Sequence, residues 1–70
     1  SYPDYVNSYR IQFLEEYTHQ HPEWSRYSIE AIGNEIGFTN RISFYNACKK
    51  HRNLTPSELL AQIGLNMKNE

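Results

Sequence analysis

The sequence predicts an all-α fold of about four helices, and three observations predict it. Apolar residues recur three or four positions apart along most of the chain, the spacing of a single helix face. Between these stretches stand residues that start and stop helices: Ser28, Thr39 and Thr55 as capping oxygens, Pro22 and Gly37 as breaks. No stretch alternates apolar and polar residues as a half-buried strand would. Seventy residues allow one domain, which hides about 60% of its unfolded surface. The expected core is therefore small, and a deep catalytic cleft is hard to build around it.

The first helix is expected from Pro3 to about His21. Tyr5, Val6, Tyr9, Phe13, Leu14 and Tyr17 line one side of it. Ser1 can cap its start, Pro3 is tolerated in the first turn, and Asp4 suits the positive end of the dipole. Pro22 pushes the residue before it out of helical geometry, so the helix stops there. Residues 22–27 read as a short connection, with Trp24 and Tyr27 as apolar plugs. Ser28 then caps a helix carrying Ile29, Ile32 and Ile36, which ends at Gly37. Thr39 is the next capping candidate, before a helix with Ile42, Phe44, Ala47 and Cys48 on a partly apolar face and its end near Lys50 or His51. Thr55-Pro56-Ser57-Glu58 is a strong helix start, with a capping oxygen, a proline at the first position and a glutamate three residues on. That last helix buries Leu59, Leu60 and Ile63, then frays through Gly64 into a polar tail.

The net charge of −1 looks wrong for a nucleic-acid binder, since phosphate neutralisation supplies most non-specific affinity. The distribution matters more. Residues 36–57 hold Arg41, Lys49, Lys50 and Arg52 and no carboxylate. That asymmetry hints at an anionic partner, although a solvated helix end also collects basic residues.

Two short helices joined by a turn at Gly37, the second ending in a basic cluster, match a helix-turn-helix plan. The chain then divides into a long linker helix (1–21), a connection (22–27), a homeodomain-like helix-turn-helix (28–52) and a last helix with a tail (53–70). Ser28 to Ile36 would lie across a sugar-phosphate backbone, with Phe38 plugging the corner. The second helix would turn Asn40, Arg41, Ser43, Tyr45 and Asn46 toward base edges, with Ile42 at the boundary of that face. Arg pairs with guanine, Asn with adenine, and an aliphatic group can touch a thymine methyl. Lys49, Lys50 and Arg52 suit phosphates, as do Thr39 and the exposed start of the last helix, Thr55 and Ser57.

These residues carry a family resemblance. Ile29-Glu30-Ala31-Ile32, Ile36-Gly37-Phe38-Thr39-Asn40, Phe44-Tyr45, Lys49-Lys50 and Leu54-Thr55-Pro56-Ser57-Glu58, in that order, resemble the signature of the AraC/XylS-type transcription regulators. Asp4-Tyr5-Val6-Asn7 and Arg10-Ile11 resemble the family's linker helix, so the likeness runs from about Pro3 to Gln62. The Pro22-Glu23-Trp24 to Tyr27 insert is similar to versions in Bacteroidetes members. The resemblance implies the second half of a two-unit domain that binds double-stranded DNA in bacterial transcription regulation. Its expected partners are a first helix-turn-helix unit and a sensor domain, its location is the cytoplasm, and a membrane anchor is possible in the parent protein. It implies no cofactor.

Three positions depart from the family pattern. Gly33 replaces a small helix former, which loosens an exposed helix by about 1 kcal/mol. Cys48 replaces a larger apolar residue and leaves a void or a rearranged neighbour, a void costing a few kcal/mol. Arg52 stands where an aromatic is usual.

Catalysis and metal binding are not expected. His19 and His21 are two apart and diverge on a helix, and Cys48 is the sole cysteine. Glu15-Glu16 reads as an exposed helix face. The longest apolar runs are two or three residues, far below the roughly 18 of a membrane span. The alternative from another class is a helical protein-interaction module. Tyr2, Tyr5, Tyr9, Phe13 and Tyr17 form an aromatic face broader than three short helices can cover, a surface suited to the absent first unit or to self-association.

Overall fold

The computed structural model describes residues 1–68, so the end of the polar tail, residues 69 and 70, lies outside the described residues. Four α-helices follow in order: α1 (Tyr2–Tyr17), α2 (Ile29–Glu35), α3 (Arg41–Arg52) and α4 (Pro56–Ile63). The all-α class and the long first helix are as expected. No helix among the described residues is long and apolar enough to cross a membrane.

Helix α1 starts as predicted, with the Ser1 hydroxyl accepting from the Asp4 amide. Its α-helical part ends earlier than His21. The Thr18 hydroxyl donates to the Leu14 carbonyl, and the chain tightens into a 3-10 turn over Thr18–Gln20. A threonine that bonds back four residues competes with the ladder in this way. The packed face of α1 also differs from the aromatic face. Ile11, Leu14 and Thr18 are buried, whereas Tyr5, Tyr9, Phe13 and Tyr17 point outward. The sequence placed Leu14 and these aromatic residues on one side of the helix; of them only Leu14 enters the core, joined by Ile11, while the aromatic residues stay outside.

Residues 22–27 form a second 3-10 segment, Pro22–Arg26, which drives Trp24 into the core at 2% exposure. The His21 ring stacks on Trp24 with centroids 4.5 Å apart. Ser28 caps α2 as expected, its hydroxyl accepting from the Ala31 amide at 3.0 Å. Gly37 follows with φ +105°, the left-handed region that glycine enters without a Cβ clash.

The core joins Ile11 and Leu14 of α1, Ile32 of α2, Phe44, Ala47 and Cys48 of α3, and Leu59 and Leu60 of α4, with Trp24, Ile36 and Phe38 closing the corners. Phe38 plugs the turn as predicted and stacks on Phe44 at 5.3 Å. Gly33 is not a loosened exposed position. It is buried, and a Cβ there would lie 2.7 Å from Cδ2 of Phe44. The glycine lets α2 and α3 approach closely. Cys48 is fully buried, and burial pushes its thiol up to about 12.

The segment after Gly64 folds back instead of fraying. Leu65 and Met67 pack on the core, and the Lys68 amide donates to the Ser25 carbonyl at 2.6 Å. Ile63, expected in the core, is only partly buried at its edge.

Candidate nucleic-acid interface

Helix α3 has a core face and a solvent face. Phe44, Ala47 and Cys48 point inward, while Arg41, Ile42, Tyr45, Asn46, Lys49 and Lys50 are exposed. Steps of three and four residues align Arg41, Ile42, Tyr45, Asn46 and Lys49 along one stripe. Ile42 lies fully outside, at 73% exposure, rather than at a boundary.

Two predicted base readers fall away from this stripe. Asn40, not Thr39, is the N-cap of α3: its backbone is extended, and its Oδ1 accepts from the Ser43 amide at 2.8 Å. Asparagine is the better cap of the two. The bond engages the oxygen that a bidentate pair with adenine would need. Thr39 is exposed just before the helix. Ser43 is half-buried, in a cleft that α1 and the turn line with Tyr2, Asn7, Arg10, Phe38 and Thr39.

The basic cluster is largely committed within the molecule. Arg52 makes a two-pronged bond to Glu15 of α1, Nε to Oε2 and Nη2 to Oε1, both 2.7 Å, and Nη1 donates to the His51 carbonyl. That fork holds Arg52 more firmly protonated than usual. The cation thus fastens α3 to α1, and all three guanidinium nitrogens of Arg52, expected to meet a phosphate, are engaged within the chain. Glu15, in turn, is not part of an open acidic face. Lys50 pairs with Asp4 at the start of α1, and its ammonium holds that carboxyl below the ordinary range. Among the described residues, Arg41 and Lys49 make no ion pair.

At the start of α4, Thr55 closes a complete capping box with Glu58. Its amide donates to Glu58 Oε1 at 2.8 Å, and its hydroxyl oxygen accepts from the Glu58 amide at 3.2 Å. These bonds hold the Glu58 carboxyl low. Thr55, expected to meet a phosphate, therefore has its amide and its hydroxyl oxygen engaged in the box. Ser57 remains exposed in the first turn.

Sequence reasoning missed Arg10. Its guanidinium donates to Asn7 and lies 5.4 Å over the Phe38 ring, against Gly37. It locks α1 onto the turn that aims α3. No three of His, Cys, Asp and Glu come together around a metal-sized space among the described residues. No family model matches the chain, and no curated protein or solved structure matches it.

Proposed function

We propose that the chain binds double-stranded DNA through the outward stripe of α3, as the second helix-turn-helix of a bacterial AraC/XylS-like transcription regulator acting in the cytoplasm. The observation that carries this is the stripe itself: Arg41, Ile42, Tyr45, Asn46 and Lys49 exposed together on a helix with no carboxylate, backed by a fully buried Phe44. Arg41 and Asn46 carry donors and acceptors suited to base edges, and Lys49 suits a phosphate. The ordered motifs that resemble that family's signature favour the same role. Along α3, Arg41 and Lys49 are the Lys and Arg side chains outside ion pairs, so affinity is modest and the salt slope shallow, about −0.9 per phosphate neutralised.

The test is a fluorescence-anisotropy titration of the chain with random duplex DNA at low and at physiological salt. Binding that weakens with salt and with Lys49→Ala is expected. Absence of binding at low salt would overturn the proposal.

A second reading has its own observation. Tyr2, Tyr5, Tyr9, Phe13 and Tyr17 leave a continuous aromatic stripe on α1, with Tyr5 at 73% exposure. Such a surface suits a helical protein-interaction module. Association through it would hardly respond to salt, and light scattering of the chain reads it directly.

A further inference from the structure

We propose that α3 recognises a thymine by its 5-methyl group and that Ile42 is the residue that touches it; this rests on the DNA-binding reading above. Ile42 is the second residue of α3 and stands 73% exposed on a stripe whose other members are polar or aromatic. Rotating the helix to hide it would expose Phe44, which is fully buried and stacked on Phe38. The aliphatic side chain is therefore held in solvent by the fold.

Its neighbours restrict what can cover it. Arg41 and Asn46 flank it, Lys49 follows on the same side, and α3 contains no carboxylate. An apolar protein surface would have to desolvate these cations, which costs free energy without a compensating charge. A DNA major groove offers phosphates along its rims, and the one apolar group its base edges present is the thymine methyl. The residues near the start of a recognition helix are those that reach bases, and Ile42 is among them. Tyr45, at 45% exposure, lies about 4.5 Å further along the axis, three residues at the helical rise.

The experiment selects a preferred duplex from a random pool with the 70-residue chain, then replaces each thymine in turn by deoxyuridine. This removes one methyl and leaves base pairing unchanged. At one position the wild-type chain is expected to lose about four-fold in affinity, the transfer free energy of a single methyl-sized group. Ile42→Ala is expected to bind the thymine and uracil duplexes equally, while circular dichroism shows an unchanged helix content. A selected duplex that tolerates uracil at every position overturns this inference and leaves DNA binding standing, as does an Ile42→Ala variant that keeps the discrimination. A pool from which no duplex is selected overturns the DNA-binding reading and this inference with it.

Discussion

The two halves of α3 both carry cations in the sequence, and those cations behave differently in the fold. The first half holds Arg41, Ile42, Tyr45 and Asn46 in solvent, with Arg41 unpaired among the described residues. The second half holds Lys49, Lys50 and Arg52, of which two are answered by α1 through Asp4 and Glu15. A basic cluster is therefore not a count of available cations. Arg52 fastens α3 to α1 through Glu15, and Lys49 is left without an ion pair, its charge felt only at longer range by Glu58.

The largest expected effect removes the support common to both halves. Gly33→Ala is expected to destabilise the chain by about 1–3 kcal/mol through overpacking against Phe44, although alanine is the better helix former. A urea midpoint that stays or rises would show that Phe44 can give way. Next, Arg41→Ala is expected to lose about ten-fold on a selected duplex, the lower end for one bidentate base contact, with little change on random DNA. Equal losses on both would move Arg41 to a phosphate role.

The halves separate most clearly in the comparison of Lys49→Ala with Arg52→Ala. The first is expected to weaken binding to all duplexes several-fold and to reduce the salt slope by about one contact, with stability unchanged. The second is expected to cost about 1 kcal/mol of stability, discounted for partial exposure, and to leave the salt slope alone. Titrations and thermal melts of both variants distinguish these outcomes, and a salt slope that falls with Arg52→Ala would restore it as a phosphate contact.

The smallest effect concerns Asp4. Asp4→Asn releases Lys50 and is expected to strengthen binding to random duplex by about two-fold, the scale of an exposed pair. In a Lys50→Ala background the gain should vanish. Asp4 and Glu58 both have lowered carboxyl values. Their contributions to stability are therefore complete above the ordinary carboxylate range, about pH 4, and are lost as pH falls through the lower folded values. The Asp4→Asn gain should accordingly be flat from about pH 5 to 8. A gain that varied within that window would point to another titrating group.

Much of the framework was legible before the structure. Ser1, Ser28 and Thr55 cap the helices expected of them, and Gly37 makes the turn. Each depends on bonds across three or four residues, which the sequence displays directly. The cap of α3 was displaced by one position because Thr39 and Asn40 are both competent, and the stronger cap, Asn40, takes the role. Of the expected base readers, Arg41, Ile42, Tyr45 and Asn46 reach solvent, since 3.6-residue periodicity sorts them from Phe44, Ala47 and Cys48. Ser43 does not reach it fully, because the body of α1 covers its side of α3.

The sequence by itself determined the helices, their caps, the turn at Gly37 and the polar stripe of α3, because all of these rest on interactions within about one helical turn. The tertiary structure alone decided which stripe of α1 faces the core, that Gly33 is a contact rather than a weakness, that the chain folds back at Leu65, and which cations remain unpaired. Lys50 meets a carboxylate 46 residues away and Arg52 one 37 residues away. Such partners are chosen by how α1 lies across α3, and no local spacing encodes that crossing.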